Sequence, residues 1–313
     1  MLKFKTAAQL ELPTNIKAMI YGQAGMGKTT LALSMPRPLL LDFDNGVSRV
    51  NTSHLDGVAV AQIGSWAEAL ELFNADLTPF QSIIIDTAGK MMDFIIAHKC
   101  GTRQPTIRDW GGINAEFNNF TRNIAQLDKN VVYVAHRDAS RDGDDTVYVP
   151  MLRSKNFTAI VSELDLLGYM EVRQENGVLT RTITFNPTNR SEGKNACNLP
   201  GVMNIPTIVD AKGNPTAPND FLTERVLKPY MEMLKCKRDE RQDYATRLED
   251  LTAEVDTIAD ANAANQFVAD IDRYKGNSNL LAKARKMFAA KAKELGLVYD
   301  KKTKLYADPD TAA

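Results

Sequence analysis

The sequence predicts an α/β fold built on a mainly parallel sheet, with an antiparallel edge hairpin and a small α-helical region at the C-terminal end. Three observations predict it. Short apolar runs at residues 17–21, 38–41, 81–85 and 131–135 alternate with loops or helical patterns, the rhythm of strand–helix–strand crossovers. Ile83, Ile84 and Ile85, and Val131, Val132, Tyr133 and Val134, are continuous rather than alternating, as strands covered on both faces require. Residues 166–173 and 179–185 are β-rich and flank Glu175, Asn176 and Gly177, a hairpin signal that puts antiparallel strands at the sheet edge.

Residues 66–73 and 113–127 have helical spacing and read as crossover helices. The proline-rich stretch 195–220 is expected to be irregular, a linker or a surface-hugging loop. From Phe221 onward the pattern is helical, and Tyr244, Leu248, Leu251, Val255 and Ile258 recur at spacings of four and three. Such a stripe suits either a short coiled coil or one helix packed on its own domain. A chain of 313 residues suits two units. The expected division is an N-terminal arm over 1–15, a core over 16–210 and a helical region with a basic tail over 211–313.

Hydrophobic content of 44%, charged content of 25% and a net charge of -1 exclude a whole-chain basic excess, so any nucleic-acid contact must be local. Charge is segregated near the end: residues 239–272 hold ten acids against two bases, and 273–304 hold ten bases against two acids. The two halves can pair with each other, or the basic one can face DNA. Cys100, Cys197 and Cys236 are far apart and form no C-x-x-C pair, which points to thiols in a reducing cytoplasm and gives no zinc signature. The N-terminal stretch lacks the apolar core of a signal peptide, and no run approaches the ~18 apolar residues of a membrane span, so a cytoplasmic location is expected.

Gly22, Gln23, Ala24, Gly25, Met26, Gly27, Lys28 and Thr29 fit G-x-x-x-x-G-K-[ST], placed between an apolar strand and a helix beginning near Lys28. Glycines let backbone N–H groups curl around phosphates without side-chain clash, and a helix N-terminus adds its positive end to the same anion. Lys28 is expected to reach the β and γ oxygens, Thr29 to hold Mg2+, and Thr30 to complete the nucleotide contacts. Asp86 closes the run Ile83 to Ile85, which sets a carboxylate at the C-terminal end of a central strand, where parallel sheets bind ligands. It is the expected second partner of the metal. Thr87 follows where AAA-type motor ATPases carry a catalytic glutamate, so the group that activates water must lie elsewhere.

Leu39, Leu40 and Leu41 run into Asp42, Phe43 and Asp44. With the P-loop, this resembles the RecA-like P-loop NTPase core, whose strand after the P-loop helix ends in an acid, a spacer and the catalytic carboxylate. Asp44 matches that carboxylate, although family members commonly have the longer glutamate; the other reading is that Asp42 and Asp44 cap a turn before Asn45 and Gly46. His136, after Ala135, matches the family's polar sensor of the γ-phosphate. The likeness continues through Ser162, Glu163, Leu164, Asp165 and Leu166 and on to residues 186–194, where a basic residue of the family touches the next protomer's nucleotide. Arg190 or Lys194 stands there.

Taken together, residues 14–210 look like the phage-encoded RecA-like ATPases of single-strand annealing and recombination. That resemblance implies ATP, Mg2+, single-stranded DNA, a homo-oligomer in the form of a filament or ring, a single-strand-binding protein as helper, and the cytoplasm of a phage-infected bacterial host. It also points to two DNA loops at one sheet edge: residues 99–112 with Lys99, Arg103, Arg108 and Trp110, and residues 137–156 with Arg153, Lys155 and Tyr148. Bases for phosphate and aromatics for stacking are the mixture single strands need. Phe4, Lys5, Thr6 and Ala7 fit the F-x-x-A docking arm of some recombinases. The rival readings are an ATP clamp that anneals DNA without hydrolysis, an AAA-type helicase loader and a P-loop small-molecule kinase.

Overall fold

The computed structural model describes residues 13–309 apart from Asp144 and Asn176, so the F-x-x-A stretch and most of the 1–15 arm lie outside the described residues. The chain divides into two compact units, one covering Pro13–Met233 and the other dominated by Leu234–Ala313.

The first unit is an α/β sandwich on one sheet. Its strands in chain order are β1 (Lys17–Gly22), β2 (Pro38–Asp42), β3 (Ala59–Gln62), β4 (Ser82–Asp86), β5 (Asn130–Asp142), β6 (Asp145–Pro150), β7 (Leu166–Glu175), β8 (Val178–Thr184), β9 (Lys194–Asn195) and β10 (Val202–Ile205). Helices α1 (Lys28–Ala32), α2 (Trp66–Glu71), α3 (Ala88–Cys100), α4 (Asp109–Gln126) and α5 (Ser154–Glu163) connect them. The sheet order is β10-β8-β7-β1-β5-β4-β2-β3, with β6 beside β5 and β9 beside β7. The strands from β7 through β3 pair in parallel, and β8 and β10 add the antiparallel edge. This is the mainly parallel sheet with an antiparallel edge hairpin that the apolar runs predict.

The continuous runs are buried throughout: every residue of β2 and β4 is covered, and only Lys17 of β1 is partly open. On one face Met19, Tyr21, Ile83, Ile85, Val131 and Tyr133 pack against Trp66, Phe117, Phe120 and Ile124 of α2 and α4. Burial of such side chains stabilises by about 1.5–3 kcal/mol each and fixes the strands in register. That register aligns the site. Gly22 pairs with His136, Asp86 with Val134 and Asp42 with Asp86, so the ends of β1, β2 and β4 and the end of β5's parallel ladder lie along one edge.

Two expectations are corrected here. The fourth strand does not end at His136: the parallel ladder stops there, but β5 runs on and pairs with β6 as an antiparallel hairpin from Arg137 opposite Pro150 to the turn near Gly143. The expected second DNA loop is therefore largely a β-ribbon. The predicted first loop is also mostly helix, because Lys99 lies in α3 and Trp110 in α4, leaving only residues 101–108 between them.

The second unit takes up the later part of α6 (Lys228–Asp256), with α7 (Ala261–Asp270), α8 (Ser278–Glu294) and a small hairpin of β11 (Val298–Asp300) and β12 (Leu305–Ala307). Leu251, Val255 and Ile258 are buried against Phe267, Leu280, Ala284 and Phe288, with Tyr244 and Leu248 at the margin of the same cluster. The apolar stripe thus packs within its own unit. Arg273 pairs with Glu254 across the acidic and basic halves, whereas Lys275 pairs with Asp272 and Lys291 with Glu294 locally. Among the described residues, Arg285, Lys286, Lys293, Lys301, Lys302 and Lys304 are exposed with no ion-pair partner.

Candidate functional site

The loop between β1 and α1 is shaped by its glycines. Gly25 and Gly27 hold φ of 77° and 83°, the left-handed region where a side chain is strained. Gly22 is fixed by a neighbour, since a Cβ there would sit 2.6 Å from the carbonyl oxygen of Met170. Helix α1 starts at Lys28 as expected but spans only five residues, because the chain is turning toward Pro36 and Pro38. The phosphate cradle therefore rests on the loop N–H groups and Lys28 more than on a long helix dipole.

Lys28 is 6% exposed, and its Nζ donates to the carbonyl of Gln23 at 2.8 Å, folded back along the rim of the loop. Thr29 Oγ1 donates to Asp86 Oδ2 at 2.5 Å. Burial pushes the Asp86 carboxyl up to about 6; Thr29 opposes this, Asp44 and Asp42 add to it, and Lys28 opposes it again. Burial likewise lowers Lys28, against the pull of Asp86 and Asp44. Each buried group is thus held away from its charged form, and bound polyphosphate with a cation would restore both charges.

The two aspartates after β2 have separate tasks. Asp42 caps the turn: its Oδ1 accepts from Gly46 N at 2.9 Å and its Oδ2 from Val47 N at 3.1 Å. Asp44 does not. Its Oδ2 lies 3.6 Å from Arg49 Nη2, and its Oδ1 is buried with no hydrogen-bond partner. Gly46 makes room for it, since a Cβ at that position would fall 2.5 Å from Asp44 Oδ1.

Lys28, Thr29, Thr30, Asp44, Asp86 and His136 line one cleft of about 450 Å³ together with Ala24, Gly25 and Gly27. Burial, then Lys28, lower the His136 imidazole below its ordinary value, with Asp44 acting the other way. Among the described residues no group of three or more His, Cys, Asp or Glu could cage a metal. The donors that are present, the Thr29 hydroxyl with the Asp86 carboxylate and the orphaned oxygen of Asp44, are all oxygen. They fit Mg2+, which is held by one or two carboxylates plus substrate phosphates. Thr87, the residue after Asp86, caps α3 by accepting from Lys90 N at 3.2 Å.

The remaining expected residues lie outside this cleft. Gln23 is exposed and its side chain accepts from Arg137 Nη2 at 3.3 Å. Lys194 Nζ donates to the carbonyls of Val161 and Ser162 at the end of α5, so its ammonium is already engaged; Arg190 lies on an exposed loop. Lys99 pairs with Glu116 at 2.8 Å, and Arg103 grips Asp109 through two hydrogen bonds. Trp110 packs on the core and carries Arg153 over its ring at 3.2 Å. Tyr148 stacks on Tyr169 with Arg137 on its ring. Both aromatics chosen for base stacking therefore have a face covered. What stays open at this edge is Ile107, 93% exposed, with Arg108 beside it and Lys155 nearby in sequence to Arg153.

One group of residues carries no sequence signal at all. A second cleft of about 240 Å³ adjoins the first, walled by the 205–221 segment and by His54. No motif marks His54, and the irregular segment has no periodicity to read.

Sheet, loop and cleft define a P-loop nucleotide-binding protein of the α/β class. The chain belongs to the AAA domain family, whose profile matches residues 14–197. No curated protein matches its sequence. Among solved structures it is similar to a KaiC-like protein of Pyrococcus horikoshii OT3, at 9% identity over 54% of this chain and 77% of that one, with a TM-score of 0.37. It is also similar to the flagellar accessory protein FlaH of Methanocaldococcus jannaschii, at 11% identity over 64% and 93%, with a TM-score of 0.36. No helix among the described residues is long and apolar enough to cross a membrane.

Proposed function

We propose that this chain is a Mg2+-dependent ATPase that acts on single-stranded DNA as a homo-oligomer, in annealing or strand pairing. The observation that carries the ATPase is the gathering of Lys28, Thr29, Asp86 and the unpartnered Asp44 oxygen around one cleft. Lys28 and the loop amides hold the phosphates, and Thr29 and Asp86 exchange their mutual hydrogen bond for the cation. When bound, Mg2+ draws charge from the phosphate oxygens. Asp44 orients and deprotonates the attacking water, and His136 contacts the terminal phosphate from the end of the parallel ladder.

The DNA part of the proposal is supported by the edge that carries Arg108, Arg153 and Lys155, with Ile107 projecting beside them. Arg190 is the candidate to reach a neighbour's nucleotide, since Lys194 is occupied within its own subunit. Steady-state phosphate release, with and without single-stranded DNA, tests the reading. Turnover that DNA stimulates supports it. Tight ATP binding without turnover would make the protein a nucleotide-clamped annealing factor, and turnover indifferent to DNA would remove the nucleic-acid half.

A further inference from the structure

We infer that Arg49 is a catalytic residue of the phosphate cleft, whose guanidinium leaves Asp44 for the terminal phosphoryl group of the bound nucleotide. The inference rests on the ATPase reading. Among the described residues Arg49 is the one arginine lining the cleft of Lys28, Thr29, Asp44, Asp86 and His136. It lines the adjoining cleft as well, in both cases with Gly25, Gly27 and Thr30, which sets it against the P-loop. Its charge is also felt at His136, where it acts with Lys28 against the imidazolium.

The local fold brings it there. Asp42 accepts from Gly46 N and Val47 N and so fixes the start of a short 3-10 turn, Gly46–Arg49, which ends on the arginine. Asn45 enters that turn at φ of 55°, a left-handed conformation that asparagine adopts more readily than most residues. The chain doubles back, and Arg49 Nη2 comes to 3.6 Å from Asp44 Oδ2. Both groups pass the bare Cα of Gly46, where a Cβ would lie 3.2 Å from Nη2 and 2.5 Å from Asp44 Oδ1.

Without Arg49 the cleft has the wrong sign for a triphosphate. Lys28 against Asp44 and Asp86 is one cation against two anions, and Arg49 brings the formal side-chain charge to zero. Its side chain is 70% exposed, and 3.6 Å is longer than a hydrogen bond. An ion pair of this kind is weak in solvent and gives way to a phosphate, which accepts two guanidinium N–H groups at once. Once the guanidinium has turned, Asp44 Oδ2 is free for the attacking water. Water gives its proton to the Asp44 carboxylate as its oxygen bonds to the γ phosphorus, and the bond to the bridging oxygen breaks with its electron pair passing to ADP. Arg49 exchanges no proton; it neutralises charge on the oxygens of the phosphoryl group in transfer.

Single-turnover phosphate release and equilibrium binding of ADP, with and without aluminium fluoride, test the assignment on the full chain in Mg2+. Arg49→Ala is expected to slow phosphate release by about 10²-fold or more, to weaken ADP–aluminium fluoride by at least about tenfold and to leave ADP within about twofold. Arg49→Lys keeps the charge but not the planar fork and is expected to fall between the two. Asp44→Asn releases Arg49 and removes the base, so it is expected to lose phosphate release while binding ADP–aluminium fluoride at least as tightly as wild type. Equal losses for ADP with and without aluminium fluoride, or wild-type phosphate release by Arg49→Ala, overturn the inference and leave the ATPase reading standing. Wild type that binds ADP but neither releases phosphate from ATP nor takes aluminium fluoride overturns that reading, and the inference with it.

Discussion

Thr29 donates its hydroxyl proton to Asp86 across 2.5 Å, so the two residues suited to a metal hold each other in place without one. The bond does not compensate for the burial of the carboxylate, which sits at about 6 rather than near 4. Between those values the folded chain holds a proton that the unfolded chain has released, so this group's contribution to stability falls as pH rises from about 4 to about 6. In EDTA and without nucleotide, Asp86→Asn is expected to be more stable than wild type at pH 7.5, by up to about 3 kcal/mol, with the gap closing at pH 4. Thermal melts at the two pH values check it, and a less stable variant at pH 7.5 would contradict the burial argument. The same variant is expected to lose Mg2+-dependent ATP binding.

Lys28→Ala is expected to remove nucleotide-dependent behaviour, since the ammonium neutralises charge on the transferred group that loop amides alone do not cover. Unchanged ATP affinity and turnover would refute the site.

Asp44→Asn is expected to keep ATP affinity while phosphate release falls by roughly 10²-fold or more, the scale of losing a general base. Full turnover would return Asp44 to a turn-forming role like that of Asp42, whose two oxygens already serve Gly46 and Val47.

Gly46→Ala tests the same carboxylate by sterics, because the new methyl group meets Asp44 Oδ1 at 2.5 Å and Arg49 Nη2 at 3.2 Å. Displacement of a catalytic group by about 1 Å costs up to about 10²-fold, so turnover is expected to fall while tripolyphosphate binding is retained. Wild-type turnover would show that Asp44 moves without consequence.

Replacing Arg108, Arg153 and Lys155 together by alanine is expected to weaken single-strand binding and lower its salt slope by about 2, at roughly 0.7 per lost phosphate contact. ATP affinity should not change. If binding survives that change but is lost when Lys286, Lys293, Lys301, Lys302 and Lys304 are neutralised, the basic helix and hairpin of the second unit form the DNA surface instead.

The parts of the molecule legible in the sequence are those whose physics is local. A P-loop is read from contiguous residues because the same peptide groups that form it bind the ligand, and β2 and β4 are read because strands covered on both faces are apolar at every position. β3 escaped because its residues, Ala59–Gln62, alternate between half-covered and open at a sheet edge. The β5–β6 ribbon escaped because its outer part is polar and stands beyond the core. Lys99, Arg103 and Lys194 looked like free cations until Glu116, Asp109 and two helix-end carbonyls were brought beside them by tertiary folding. Arg49 could not be found at all from the sequence, since what distinguishes it is its approach to Asp44 across a turn that Asp42 and Gly46 shape.

The passage of β5 from parallel ladder to antiparallel ribbon makes one strand both the floor of the phosphate cleft and a projecting arm. His136 stands at the fulcrum, and the end of the strand at Asp142 lies roughly 20 Å farther on, at about 3.4 Å per residue. A tilt of about 5° at the fulcrum displaces the far end by roughly 1.7 Å, a mechanical gain set by strand length alone. Arg137, the first residue beyond the fulcrum, hydrogen-bonds Gln23 on the loop after β1 and Tyr169 on β7, the strand beyond β1, so the arm is clamped where it leaves the sheet. Gln23 and Tyr169 together fix the angle at which the arm leaves the sheet.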